Sequence, residues 1–236
     1  MKNSEEKTIS EGKASGPAGF KASLAPHFAK RCVVLCLGLA VMALGVSFSI
    51  KSNLGTSPIS SLPYVISLIT PLTVGTATIA MHCVLILLQI IILRRRYQPF
   101  QLLQLPVAII FGYLTDIFVA LTDGLTYNAY WQQWIYCIIG ILFVALGVTL
   151  EVLSKVVTVA GEGLVLAICK VAPIKFGNMK IIFDVTLVVS ASVLSLIFLD
   201  GLYGVREGTI AAALLVGACS KQMTKPLSKL EERFLS

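Results

Sequence analysis

Long apolar runs recur along the whole 236-residue chain and restrict what it can fold into. A helix that spans a bilayer needs about 20 mostly apolar residues. In lipid, backbone polar groups must be satisfied within the protein, so only helices and closed barrels cross. Barrel strands alternate apolar and polar residues, and these runs do not. We therefore predict an all-α membrane protein. The predicted spans are 32–50, 76–93, 102–121, 135–152, 179–199 and a shorter one at 208–219.

The composition agrees with a membrane location. The chain is 56% hydrophobic and 13% charged, whereas soluble domains carry about 25% charged residues. The net charge of +7 is typical of basic cytoplasmic loops and does not indicate nucleic-acid binding. The six cysteines form no CxxC pair, so we interpret them as small apolar residues and not as metal ligands or disulfides.

One pattern occurs twice in the chain, at an offset of 102 residues. Glycine and proline are required for backbone reasons, so their matched positions indicate two homologous halves. The matches are Gly45 with Gly147, Pro71 with Pro173 and Gly75 with Gly177. The predicted divisions are a disordered tail (1–29), repeat 1 (30–122), an extracellular loop (123–133), repeat 2 (134–220) and a basic tail (221–236).

Each half also contains one short apolar segment, 56–70 or 157–171. If both are re-entrant, the chain has six spans, and only Lys51 and Arg206 among the basic residues lie outside. If both cross fully, there are eight spans, and Arg94–Arg96 and Lys155 also move outside. The positive-inside rule favours six, with both termini cytoplasmic. Three spans per half then require an inverted repeat, with the short segments meeting near the midplane.

Polar residues within the apolar segments are the candidate substrate- or ion-binding residues. His82 and Asp184 are equivalent by the 102-residue offset. Together they could carry a proton or hold a cation, or form a structural hydrogen bond. Glu162, between two glycines, either faces a substrate or lies at the cytoplasmic surface. Ser57, Ser60 and Ser61 either line the first short segment or bond to its backbone.

The sequence indicates neither an enzyme nor a cofactor site. It contains no GxSxG, HExxH, Walker A or GxGxxG motif. Its two histidines cannot supply a histidine-rich metal site. We predict no catalytic residues, no metal and no cofactor.

Several motifs resemble the YczE/YyaS/YitT family of bacterial integral membrane proteins. They are Gly45, Pro71-x-x-x-Gly75, Gly161-Glu162-Gly163-Leu164 and Gly204-Val205-Arg206-Glu207-Gly208-Thr209-Ile210. The likeness extends over about residues 30–222 and implies a protein of the bacterial plasma membrane. It carries over no catalytic residues. Glu162 departs from the small or hydroxyl residue expected between those glycines.

The leading functional hypothesis is a small secondary transporter or channel-like permease with a midplane site between the two repeats. The alternative is a membrane scaffold or regulatory protein that transports nothing and binds a partner. The expected partners are membrane lipids and a small solute or ion, with no nucleic acid. Self-association into a homo-oligomer is left open.

Overall fold

The computed structural model describes residues 28–234, which form eight α-helices and two short 3₁₀-helices. No β-strand occurs among these residues, so the predicted all-α class is confirmed. The helices are α1 (Phe28–Ser52), α2 (Pro58–Ile69), α3 (Val74–Leu93), α4 (Gln104–Leu121), α5 (Tyr130–Ser154), α6 (Ala160–Val171), α7 (Phe176–Leu199) and α8 (Glu207–Phe234). The 3₁₀-helices Arg94–Arg96 and Pro99–Leu103 connect α3 to α4.

Five helical stretches are long and apolar enough to cross a membrane. The chain is therefore a multi-pass membrane protein. Helix α8, which contains the predicted sixth span, is not among the five, and α2 and α6 have only 12 residues each. The five stretches are Phe28–Ser52, Val74–Arg96, Pro99–Leu121, Tyr130–Ser154 and Phe176–Leu199.

The helix ends differ from three of the expected divisions. Helix α1 already begins at Phe28, within the expected tail 1–29, whose residues 1–27 lie outside the described part. Helix α5 begins at Tyr130, before the expected end of the loop. Helix α8 continues to Phe234 without a break at 221, and its side chains from Ser228 onward lie outside the described part.

The helix bounds of the two halves follow the same 102-residue offset. It relates α1 to α5 and α2 to α6 at both ends, and α3 to α7 at their first residues. Asn53 and Lys155, also 102 residues apart, have φ angles of 53° and 54°. A positive φ is uncommon for residues other than glycine. The two halves therefore share backbone detail beyond their matched residues.

Prolines explain why α2 and α6 are short. Pro71 and Pro173 follow the C-cap residues Thr70 and Ala172, which have extended backbone angles. A residue before proline is disfavoured in the helical region, and proline itself lacks the N–H that a helix needs. Both helices therefore end two residues before a proline, with the C-cap residue between them.

Helices α1 and α5 cross in antiparallel directions through four glycines. A methyl group at Gly45 would lie 2.8 Å from the carbonyl oxygen of Gly140, and one at Gly147 would lie 2.7 Å from that of Gly38. Residues with higher numbers in α1 contact residues with lower numbers in α5, so the two helices run antiparallel. Gly38 and Gly140 are themselves 102 residues apart. Small residues allow such close approach of membrane helices.

The two ends of the bundle differ in charge. At the end that we call the basic end, α1 begins and α5 finishes, with Arg31 Nη1 donating to the Ser154 carbonyl at 3.3 Å. Arg94–Arg96 follow α3 at this end. At the opposite end, Lys51 Nζ lies 2.5 Å from Asp123 Oδ1. The hydrogen bond and the charge of Lys51 lower the pKa of Asp123.

The short helices α2 and α6 begin inside the bundle and finish at different ends. Ile59 in the first turn of α2 packs against Gly161 in the first turn of α6. Helix α2 finishes at the opposite end, where Thr73 Oγ1 donates to Asp116 Oδ2 at 2.6 Å, near the last turn of α4. Helix α6 finishes at the basic end, where Val171 and Arg94–Arg96 line one groove.

Candidate functional site

A cavity of about 460 Å³ lies between the two short helices and is lined by residues of both halves. Its walls are mostly apolar, with Met42, Phe111 and Val144 among them. The ionisable residues in its lining are His82, Glu151, Glu162, Lys180, Asp184 and Lys221.

Five of the six predicted site residues line this one cavity: Ser57, Ser60, His82, Glu162 and Asp184. Ser57 Oγ donates to Ser60 Oγ at 3.0 Å at the start of α2.

Ser61, the sixth predicted site residue, does not line the cavity. It is fully buried. Its Oγ donates to the Pro58 carbonyl oxygen at 2.8 Å, within the first turn of α2. The backbone-bonding alternative therefore describes Ser61.

Glu162 lies in the first turn of α6 between two closely packed glycines. A methyl group at Gly161 would come within 2.5 Å of Ile59 Cδ1, and one at Gly163 within 2.7 Å of Gln104 Nε2. The glycines thus let neighbouring side chains approach the helix backbone. Glu162 lines the cavity and is half-buried, as expected for a residue that faces a substrate.

The equivalent residues His82 and Asp184 line the same cavity but do not bond to each other. Asp184 Oδ1 accepts from Lys180 Nζ at 2.5 Å, one helical turn earlier on α7. His82 is 3% exposed, and its ring lies 6.2 Å from that of Phe111. His82 Nδ1 has no hydrogen-bond partner among the described residues. A direct His–Asp hydrogen bond is therefore not formed.

Glu151 lines the cavity but was not among the predicted site residues. It is 3% exposed, although it lies in the last turn of α5. Its Oε1 accepts the backbone N–H of Val159, the N-cap residue of α6, at 2.9 Å. Glu162 is a charged neighbour. The position of Glu151 at the end of an apolar span does not predict that the following residues fold back and bury its side chain.

Two backbone hydrogen bonds join the segment before α2 to Gly204 and Gly208. Thr56 N–H donates to the Gly204 carbonyl at 3.1 Å, and Gly208 N–H donates to the Leu54 carbonyl at 2.8 Å. We call these two bonds the clamp. They involve the motif 204–210 and hold the segment that leads into α2. The clamp therefore positions Ser57 and the start of α2.

Towards the basic end, the cavity reaches the exposed residue Lys221. Helices α5 and α8 begin together, with Tyr130 OH donating to Glu207 at 3.0 Å, and remain adjacent at Thr149 and Ser220. Lys221 thus lies at the same end as the last turn of α5.

A profile described as a family of unknown function (DUF6198) matches residues 29–225, most of the chain. The chain belongs to the DUF6198 family. It is 28% identical over 182 residues to the uncharacterized protein YyaS of Bacillus subtilis (strain 168), covering 77% of this chain and 86% of YyaS. This likeness confirms the YyaS-like family assignment that the motifs suggested. No solved structure matches the chain.

In this DUF6198 protein, sequence reasoning also missed Gln89. It is fully buried in α3, and its Nε2 donates to Gln104 Oε1 at 3.1 Å and to the Ala160 carbonyl at 3.0 Å. These bonds link α3, α4 and the first residue of α6. A glutamine within an otherwise apolar span is the signal that could have identified it.

The described part of this DUF6198 chain contains no group of three metal-ligating side chains. The cavity has apolar walls around a few charged and hydroxyl groups. That composition is typical of small-molecule sites.

Proposed function

We propose that the protein is a small secondary transporter or channel-like permease whose substrate occupies the cavity. The observation that carries this proposal is that both halves contribute polar residues to one cavity between the first turns of α2 and α6. Its volume of about 460 Å³ falls in the range of small-molecule pockets, about 300–1,000 Å³. Transporter sites are often formed by broken helices at a repeat interface.

We further propose that the halves form an inverted repeat with six spans and two re-entrant helices. The antiparallel crossing of α1 and α5 supports it, because a two-fold axis along the membrane normal would relate parallel helices. The course of α2 supports it too. Since α1 and α2 both finish at the opposite end, the chain between them enters and leaves the bundle from one side.

The orientation that we propose places the basic end in the cytoplasm of a bacterial cell, with both termini there and the chain in the plasma membrane. The distribution of basic residues supports it. Among the described residues, the two basic ones at the opposite end, Lys51 and Arg206, form ion pairs with Asp123 and Glu207. In this orientation the cavity is accessible from the cytoplasm, and the clamp lies on its outer side.

Cysteine labelling at Ser60 tests the transporter proposal. Ser60 lines the cavity. In a variant without the six native cysteines, we expect Ser60→Cys to react with a membrane-impermeant thiol reagent in intact cells and also in inverted vesicles. A transporter exposes its site to each side in turn, and an open channel exposes it to both.

Ser61→Cys is the matched control, because Ser61 is adjacent in sequence but does not line the cavity. We expect no labelling there from either side. Labelling of Ser60→Cys from one side alone would contradict transport and favour the scaffold.

A further inference from the structure

The inner part of the cavity contains more acidic than basic side chains. Glu151, Glu162, Asp184 and Lys180 all line it, and Lys180 is bonded to Asp184 at 2.5 Å. Lys221 lines the cavity from the exposed part of α8. Glu162 has both Lys180 and Asp184 as charged neighbours but forms no ion pair among the described residues, where Lys180 pairs with Asp184. A carboxylate among apolar walls, without a bonded counter-charge, favours a cationic ligand.

An unpartnered histidine in the same cavity narrows the type of cation. His82 is 3% exposed, and its Nδ1 has no hydrogen-bond partner among the described residues. A neutral imidazole has one nitrogen that accepts a hydrogen bond. Whichever ring nitrogen carries the proton, the other is an acceptor. Because the His82 side chain lines the cavity and an unsatisfied buried polar group is costly, a ligand that donates an N–H to the accepting nitrogen would stabilise this arrangement.

We infer that the cavity binds a protonated amine attached to an apolar body. The inference rests on the proposed function in taking the cavity as the substrate site, and it names the chemical class of that substrate. The ammonium group pairs with Glu162 and donates an N–H to His82, while the apolar body contacts Met42, Val46 and Phe111. A quaternary ammonium carries the charge but has no N–H to donate, and an anion would be repelled by the carboxylates.

Tritiated phenethylamine is a suitable probe, because it is a small apolar body with one protonated amine at pH 7. We expect saturable binding to the purified full chain in nanodiscs, measured by scintillation proximity against empty nanodiscs. Glu162→Gln should weaken this binding about tenfold or more, since it removes the charge partner. Asp200→Asn removes a carboxylate from the exposed end of α7 and should leave binding unchanged.

His82→Phe separates the hydrogen bond from the charge. Compared with the wild type, this variant should be a poorer binder of phenethylamine in a competition assay. Its competition by N,N,N-trimethylphenethylammonium, which has no N–H, should be unchanged. The Glu162→Gln and His82→Phe variants should each first elute as monodisperse protein on size-exclusion chromatography.

The absence of saturable amine binding would overturn the inference, as would equal binding by a folded Glu162→Gln variant. Tighter binding of the quaternary analogue to the wild type would overturn it as well. Labelling of Ser60→Cys from both sides without amine binding would end this inference alone. Amine binding together with one-sided labelling would end the transporter proposal and leave the inference standing.

Discussion

At the scale of single residues, the Glu151 carboxylate links the end of α5 to the start of α6. It accepts the Val159 N–H at 2.9 Å and is 3% exposed. Backbone N–H groups at a helix start have no partner within the helix. A buried donor left without a partner costs about 1–3 kcal/mol. Glu151 therefore helps to hold the first turn of α6, and with it Glu162, at the cavity.

Substitution of Glu151 tests this structural role. Glu151→Ala removes the acceptor, so we expect it to lower the free energy of unfolding by about 1–3 kcal/mol. Glu151→Gln keeps a carbonyl acceptor and should lose less. Thermal unfolding in detergent compares the two variants with the wild type. Equal stability of the Ala and Gln variants would show that the bond to Val159 is unimportant.

The sequence showed that His82 and Asp184 occupy equivalent positions, but not how each side chain is bonded. The offset of 102 residues identified the two positions as equivalent. The actual partner of Asp184 could have been predicted from the sequence. Lys180 precedes Asp184 by four residues, and residues at that spacing are neighbours on the surface of a helix. The contact between Glu151 and Val159 could not be predicted, since it depends on how tightly the chain turns between α5 and α6.

At the scale of secondary-structure elements, the crossing of α1 and α5 depends on glycine. A methyl group at Gly45 would lie 2.6 Å from Val144 N and 2.8 Å from the Gly140 carbonyl oxygen. Both are backbone atoms, which cannot move aside as the end of a flexible side chain can. The crossing therefore holds the two halves in register.

Gly45→Ala should separate these helices and destabilise the protein by about 1–3 kcal/mol, a typical cost of overpacking. The measurement is thermal unfolding in detergent. Gly177→Ala is the control, because Gly177 lies in the first turn of α7 with no atom within 4 Å of an added methyl group. A Gly45→Ala variant as stable as the control would contradict the close crossing.

The short helices were predicted closely, and the last helix was not. The segments expected at 56–70 and 157–171 correspond to Pro58–Ile69 and Ala160–Val171, because a proline follows each of them. Helix α8 instead continues through the predicted boundary at 221. Residues 221–225 contain no glycine, and the first proline, Pro226, lies inside the helix. Local sequence therefore gave no signal that the helix would end there.

At the scale of the whole molecule, the helix bounds of one half recur in the other half. The bounds of α1 and α2 recur in α5 and α6 after 102 residues, and both short helices start beside the cavity. The equivalent positions carry different side chains there, with Ser60 in one half and Glu162 in the other. That difference gives the cavity its acidic character on one side only.

Two equivalent turn residues can show whether the halves are inverted. Leu72 and Ile174 follow α2 and α6, are 102 residues apart, and are 44% and 37% exposed. In the cysteine-free background, we expect an impermeant thiol reagent to label Leu72→Cys in intact cells and Ile174→Cys only in inverted vesicles. A parallel duplication with eight full spans would place both residues on one side. Labelling of both variants from the same side would therefore contradict the inverted repeat.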